Sequence, residues 1–168
     1  MEPTVFVQKQ PGANWKLPFS ASELARLLAA MCASQGCEET ELELSILGDT
    51  AMEALHRESS GCNGPTNILS FAVRENSDAS PILRHSLADA AKDRPMLGWL
   101  ALSADTFLRE CFLYGQQEEE HCVRLLAHGL AHLMGHDHGP EMEQLCVCLE
   151  AAAHAACAES IDTYHNFY

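Results

Sequence analysis

The sequence contains no apolar run long enough to cross a membrane, and its first residues lack the basic-then-apolar order of a secretory signal. It also lacks any repeat, low-complexity tract or linker that would divide it. These absences argue against membrane, fibrous and multidomain proteins. With 168 residues, of which 47% are hydrophobic, the chain suits one compact domain, residues 1–168, with a sizeable core. We therefore expect a cytoplasmic protein with no membrane partner.

The eight cysteines never form a Cys-x-x-Cys pair, and most lie in apolar segments with helical periodicity. This spacing favours neither a zinc ribbon nor a disulfide framework. We interpret the cysteines as buried free thiols, which fits a reducing compartment.

Positive charge is scarce in this chain. Its net charge is −14, and no Lys or Arg follows Arg124. Such a chain has no general affinity for nucleic acid, since binding to the phosphate backbone depends on Lys and Arg. The acidity favours a protein partner as part of the function. A phosphate would be met by a metal ion or by the upstream basic residues, among them Arg57, Arg74, Arg84, Lys92 and Arg94.

Hydrophobic periodicity and turn residues predict strands early in the chain and helices late. The predicted strands are 3–8, 41–48, 66–73 and 96–103, and the predicted helices are 20–34, 49–59, 104–114, 118–134 and 140–158. A polar loop containing Pro81 and Pro95 separates the last two strands. We expect an α+β fold in which a small mixed sheet of about four strands packs against several helices.

Three local patterns refine this prediction. Ser20 and Glu23 have the spacing of a capping box at the start of the first helix. Asp49 is predicted to cap the second helix. The segment 41–48 alternates acidic and apolar residues, which is typical of a half-exposed strand.

The segment HGLAHLMGHDHG, residues 128–139, concentrates four histidines. His128 and His132 lie four apart on a predicted helix, so both can reach one metal ion at about 2 Å. The third ligand is His136 or His138. Because Gly135 can turn left-handed and end the helix, the geometry favours His138 over His136. Three histidines leave a coordination position open, as in catalytic rather than structural zinc sites.

The residue after the first histidine separates two enzyme classes. Metzincin proteases have H-E-x-x-H-x-x-G-x-x-H, with the glutamate as general base, and this chain has Gly129 at that position. Peptide hydrolysis takes second place, since a general base contributes a factor of ~10² to 10⁴. We also expect the missing side chain at position 129 to leave room beside the metal.

The segment HGLAHLMGHDH closely resembles the H-G-x-x-H-L-x-G-[YFH]-D-H signature of the YbeY family, metal-dependent endoribonucleases implicated in ribosomal RNA maturation. A second segment, LHRESSGCNGPTNILSFAV, is similar to another stretch of that family, and the resemblance covers about residues 41–150. It implies that His128, His132 and His138 are metal ligands and that Arg57 is the functional arginine. A guanidinium suits that role, because its planar fork binds a phosphate through two hydrogen bonds.

The chain departs from the family pattern at two places. Trp99 stands where the family has an acidic residue, and the usual aspartate between Arg57 and Pro65 is absent. Both departures concern the lining of the substrate cleft, not the three histidines.

These features lead us to expect an endoribonuclease that cuts single-stranded RNA in ribosomal RNA maturation and ribosome quality control. Its partners would be precursor ribosomal RNA and a ribosomal subunit or ribosome-associated protein. We expect one divalent metal ion, zinc above all, although imidazoles also accept nickel, cobalt or copper. The nucleophile, water or the neighbouring 2′-hydroxyl, stays open, as does a role for Asp137 in orienting a ligand.

Two other functions are compatible with the sequence. One is a metallopeptidase that recruits its base from Glu141 or Glu143, just after the histidine segment. The other is a ribosome-assembly protein with a mainly structural metal.

Overall fold

The computed structural model describes residues 2–13, 16–73 and 94–165, with side chains to residue 158. Within these ranges the strands are β1 (Thr4–Lys9), β2 (Glu41–Leu47), β3 (Ile68–Ala72) and β4 (Met96–Ser103). The helices are α1 (Ala21–Ser34), α2 (Asp49–Ser60), α3 (Ala104–Tyr114), α4 (Glu118–Leu133) and α5 (Pro140–His165). All nine elements of the described residues were predicted. The largest difference is α5, which runs beyond the predicted end at residue 158.

The four strands form one mixed sheet in the order β1-β2-β4-β3. The strands β1, β2 and β4 are parallel, whereas β3 runs antiparallel to β4 at the edge. Leu100 in the centre of β4 pairs with Leu44 on one side and with Ser70 on the other. The predicted α+β class with a small mixed sheet is confirmed.

The two faces of the sheet pack against different helices. Leu100 and Leu102 of β4 belong to the larger core, which includes residues of α1, α4 and α5. Trp99 and Ala101, which alternate with them, pack with Met52 of α2 in a smaller cluster. The helices α2 and α4 therefore lie on opposite faces of the sheet.

Strand β2 is buried on both faces, so the prediction of a half-exposed strand was wrong. Glu41 and Glu43 are each only 3% exposed. The alternation correctly directs Leu42, Leu44 and Ile46 into the larger core. However, Glu41 and Glu43, which alternate with them and face the other side of the sheet, are buried as well. The alternation of residue types in the sequence therefore predicts which face each side chain lies on, but not that both faces are buried.

Asp49 does not cap α2, which corrects the prediction. It is the first residue of that helix, and Gly48 occupies the N-cap position without a side-chain bond. Its carboxylate accepts hydrogen bonds from Ser103 Oγ at 2.8 Å, Thr106 Oγ1 at 2.7 Å and Arg109 Nη2 at 2.9 Å. Burial alone would raise the pKa of Asp49, but these hydrogen bonds and the Arg109 charge hold it below its usual value. Asp49 thus joins α2 to α3.

Two further local predictions concern the start of α1 and the loop before β4. The capping box of α1 is confirmed, since Ser20 Oγ accepts from the Glu23 amide and the Glu23 carboxylate accepts from the Ser20 amide. Arg94 donates to Thr4 Oγ1 and to the carbonyl of Glu2. The Pro81 part of the predicted loop, with Arg74, Arg84 and Lys92, lies outside the described residues.

All eight cysteines are free. The expectation that they are buried holds for Cys32, Cys111 and Cys122 but is wrong for Cys62 and Cys148, which are exposed. Burial raises the pKa of the Cys32 and Cys122 thiols to about 12, so both stay protonated at neutral pH.

Among the helices of the described residues, none has both the length and the hydropathy needed to span a bilayer.

Candidate metal centre

Helix α4 presents His128 and His132 to the same side, one turn apart. Their Nε2 atoms are 3.2 Å apart, and the ring centroids are separated by 4.8 Å. Two nitrogens bound to one tetrahedral zinc at 2.0–2.1 Å would lie about 3.3 Å apart. The observed spacing therefore fits a shared metal ion.

His138 reaches the same point because α4 ends abruptly. Gly135 adopts a left-handed φ of +90°, a conformation that side chains disfavour. Its amide donates to the carbonyl of His132 at 3.0 Å, and the amide of His136 donates to the carbonyl of Ala131 at 3.1 Å, which together make a Schellman motif. The predicted role of Gly135 in ending the helix is confirmed.

After this turn the His138 ring lies 5.2 Å from that of His128 and 4.8 Å from that of His132, centroid to centroid. One potential ligand atom from each of the three residues lies within 4.8 Å of the others. The structure thus brings together the three histidines that the sequence singled out. His128 and His132 are partly buried and His138 is exposed, so the group opens to solvent.

His136 contributes its backbone rather than its ring. The Nδ1–H of His132 donates to the carbonyl oxygen of His136 at 2.9 Å. This bond fixes the tautomer that leaves the lone pair of His132 on Nε2, directed at the other two rings. Asp137, which was one candidate for orienting a ligand, is exposed. For His132 the backbone carbonyl performs that role.

Burial lowers the pKa of His128, and the neighbouring His132 and His138 lower it further. Its imidazole is therefore neutral at neutral pH. A neutral imidazole can donate a lone pair to a metal ion, so the lowered pKa of His128 favours coordination over protonation at this residue.

Gly129 faces the sheet rather than the histidines. A Cβ at this position would come within 2.8 Å of Ile68 Cδ1 and 2.9 Å of Leu100 Cδ2. The expectation that position 129 leaves room beside the metal was wrong, because α4 packs closely on β3 and β4 at this point. A glutamate here would require the side chains of Ile68 and Leu100 to move, and it would point at the sheet rather than at the histidines, where the base of a metzincin protease is needed.

A cleft of about 380 Å³ lies between α4 and α5, beside the histidines. His128 and Arg124 line it from α4, and Glu143 is among the residues that line it from α5. Glu141 borders a different depression, along the loop that carries His138. Sequence reasoning overlooked Arg124, although its spacing of four residues from His128 already predicts the same helix face.

A sequence model of the family described as Endoribonuclease YbeY matches residues 12–156. The chain belongs to the YbeY family. Its similarity extends over nearly the full length of curated members. The Endoribonuclease YbeY of Nitratidesulfovibrio vulgaris is 45% identical over 149 residues, which are 87% of this chain and 90% of that protein. The Endoribonuclease YbeY of Oleidesulfovibrio alaskensis is 38% identical over 167 residues, 95% of this chain and 98% of that protein.

A solution structure of a Thermotoga maritima protein superimposes with a TM-score of 0.59 over 94% of this chain and 93% of that chain. Since the two sequences are only 13% identical, this likeness concerns the fold alone. The family resemblance drawn from the histidine segment is confirmed, and the relatives carry the name of an endoribonuclease.

The YbeY resemblance also singled out Arg57, which the structure places away from the histidines. Its Nη2 is 3.0 Å from Glu53 Oε1, and both side chains are largely exposed on α2. Because α2 and α4 pack on opposite faces of the sheet, the contacts of the described residues do not join Arg57 to the three histidines. A role for Arg57 in catalysis stays a prediction.

Trp99, at the position where YbeY sequences carry an acid, is a core residue on the α2 side of the sheet. It is 4% exposed, its ring stacks on Phe71 at a centroid distance of 5.1 Å, and its Nε1–H donates to Ser45 Oγ at 2.8 Å. It borders a separate pocket of about 470 Å³ that also includes Lys9. The substitution therefore leaves the lining of the histidine cleft unchanged.

Proposed function

We propose that this chain is a metal-dependent endoribonuclease that cuts single-stranded RNA in ribosomal RNA maturation and ribosome quality control. The observation that carries the proposal is the convergence of His128, His132 and His138, whose potential ligand atoms lie within 4.8 Å of one another. Membership of the YbeY family supports the choice of RNA as substrate.

We assign the three histidines as ligands of one divalent metal ion, with zinc as the preferred metal. The donor set suits zinc, because imidazole nitrogens are common zinc ligands and three of them would leave a coordination position open for water or substrate. An ion held by these histidines would supply Lewis acidity, by which a phosphate oxygen would be polarised and a water molecule made more acidic. The bond from His132 to the His136 carbonyl holds the ligand ring in its orientation.

We also assign Arg57, the functional arginine of the family resemblance, to hold a phosphate oxygen of the RNA and to stabilise its negative charge. Because α2 and α4 pack on opposite faces of the sheet, the RNA strand would have to pass around the edge strand β3 to meet both Arg57 and the histidines. The Arg57 side chain is 57% exposed, and RNA can replace its ion pair with Glu53. Exposed ion pairs contribute little to stability, so a phosphate can displace the carboxylate at small cost. The planar fork then gives two hydrogen bonds to the phosphate.

The negative charge of the whole chain supports the proposal that a partner brings the RNA to this protein. At −14 the protein repels bare RNA, most strongly at low salt. We propose that it works in the cytoplasm as one unit, residues 1–168, and meets precursor ribosomal RNA on a ribosomal subunit or with a ribosome-associated protein.

The test is to incubate zinc-loaded protein with a single-stranded RNA and, separately, with an unfolded protein. We expect internal cuts in the RNA, abolished by a chelator and by His138→Ala, while the unfolded protein stays intact. His154→Ala is the matched control, because His154 is an exposed histidine on α5 outside the group. Cleavage of the unfolded protein but not of the RNA would exclude the nuclease and favour a peptidase.

A further inference from the structure

Arg124 stands in the same cleft as two of the three histidines. It precedes His128 by four residues on α4, so the two side chains are neighbours on one helix face. Arg124, His128 and His138 all line the cleft of about 380 Å³ between α4 and α5. The positively charged side chain of Arg124 is therefore one helical turn from His128 of the candidate metal centre. Arg57, by contrast, lies on the other face of the sheet.

The guanidinium of Arg124 donates its hydrogen bond to a neutral group rather than to a carboxylate. Its Nη1 donates to Gln116 Oε1 at 2.9 Å, and that acceptor is a neutral amide. By contrast, Arg57 and Arg109 donate to the carboxylates of Glu53 and Asp49. A guanidinium has five N–H donors, so the bond to Gln116 leaves others for an anion. The side chain is exposed and can meet a large ligand.

The opposite wall of the cleft sets the orientation of such a ligand. Helix α5 contributes the carboxylates Glu143 and Glu150 to the lining, together with the apolar side chains Met142 and Val147. These carboxylates repel a phosphate, whereas hydroxyl and amino groups can donate to them. An RNA strand in the cleft would thus place phosphate towards Arg124 on α4 and its riboses and bases towards α5.

We propose that Arg124 binds a backbone phosphate of the RNA strand next to the one that is cut, and so sets the position of the strand at the three histidines. The proposal rests on the proposed function, because it takes RNA as the ligand. It adds a substrate-binding residue on α4 that neither the histidine motif nor the family resemblance indicates. In a chain with a net charge of −14, one well-placed arginine is a large share of the local attraction for RNA.

The experiment measures the affinity of zinc-loaded protein for a fluorescent single-stranded 2′-O-methyl oligonucleotide over a range of salt concentrations. Loss of one phosphate contact should weaken binding several-fold and reduce the slope of log K against log salt by about 0.7. We expect this result for Arg124→Gln. Arg124→Lys should keep the slope and recover part of the affinity, since it retains the charge but loses the fork.

Arg26→Gln is the matched control, because Arg26 is an exposed arginine on α1. It removes the same charge from outside the cleft and should leave the slope unchanged. Equal slopes for Arg124→Gln and wild type, or equal losses in Arg124→Gln and Arg26→Gln, would overturn the proposal. Elemental analysis should give the same zinc content for every variant, and loss of zinc from Arg124→Gln would make its role structural.

Cleavage of unmodified single-stranded RNA separates this proposal from the function on which it rests. We expect Arg124→Gln to raise KM more than it lowers kcat. Failure of the wild-type protein to cut RNA would overturn the nuclease function. The salt slopes would then decide by themselves whether Arg124 contacts an oligonucleotide phosphate.

Discussion

The Nδ1–H of His132 donates to the backbone carbonyl of His136 across 2.9 Å, and this bond links the His132 ring to the turn that ends its own helix. The same turn carries His138 back towards His128. The end of α4 therefore fixes both the orientation of one imidazole and the position of another. Metal affinity should depend on the conformation of this turn as well as on the histidines.

The first prediction concerns Gly135→Ala. Alanine at a φ of +90° is strained, so we expect a loss of about 1–2 kcal/mol in the free energy of unfolding. Because the turn positions His138 and the His136 carbonyl, zinc affinity should also fall, by at least ten-fold. Urea unfolding of the metal-free protein and competition for zinc with a chromophoric chelator measure the two effects.

Gly36→Ala provides the control for this prediction. Gly36 follows α1 with a φ of +72° and has open space around its Cα, so alanine there meets a similar backbone strain. It should lose similar stability and keep its zinc affinity. If both variants bind zinc like the wild type, the turn does not determine the metal centre.

The geometry of this turn was predictable from the sequence because it is local. The spacing of His128 and His132 and the position of Gly135 depend on one helix and the residues that follow it. The same holds for the capping box of Ser20 and Glu23, which spans a single helical turn.

The wrong predictions for Asp49, Gly129 and strand β2 involve contacts between distant parts of the chain. The partners of Asp49 lie between 54 and 60 residues away in sequence, and Ser70, whose hydroxyl donates to the Gly129 carbonyl, lies 59 residues before it. Burial of Glu41 and Glu43 depends on what packs over the second face of β2, which the segment itself does not specify. Periodicity within a segment carries no information about which segments become neighbours.

The second prediction concerns the close approach of Gly129 to the sheet. Gly129→Ala brings a methyl group against Ile68 Cδ1 and Leu100 Cδ2, so we expect destabilisation by about 1–3 kcal/mol despite the better helix propensity of alanine. Ile68→Val removes one of the clashing atoms. It should therefore cost less in the Gly129→Ala background than in the wild type.

Urea unfolding of the two single variants and the double variant gives the coupling free energy of this pair. A coupling near zero would contradict the close packing of α4 on β3. Gly129→Glu, which restores the metzincin pattern, should be less stable than Gly129→Ala and should gain no peptidase activity.

The third prediction concerns acid stability. The pKa of Asp49 is lower in the folded chain than in the unfolded chain, so its ionised form stabilises the fold. This contribution is complete above the unfolded value, about 3.9, and is lost as the pH falls through the folded value. Asp49→Asn should lower the free energy of unfolding by about 1–2 kcal/mol at pH 6 and by less at pH 3.

Urea unfolding between pH 3 and pH 6 gives the difference between wild type and Asp49→Asn at each pH. Glu39→Gln, which removes a carboxylate from an exposed position, is the control for the loss of one negative charge. A pH-independent difference for Asp49→Asn would show that the ionised form makes no special contribution.

The fourth prediction tests Arg57 in catalysis. Arg57→Gln removes the guanidinium that we assign to the RNA phosphate, and we expect kcat for RNA cleavage to fall by about 10². Zinc content and the free energy of unfolding should stay close to the wild type, because the ion pair with Glu53 is exposed.

Glu53→Gln breaks the same ion pair but leaves the arginine in place, so it should keep full activity or increase it. If both variants lose activity equally, the pair supports the structure of α2 and Arg57 has no separate role with the substrate. If Arg57→Gln cleaves RNA at the wild-type rate, the positive charge that the phosphate meets must come from the α4 face of the sheet, from Arg124 and from an ion held by the three histidines.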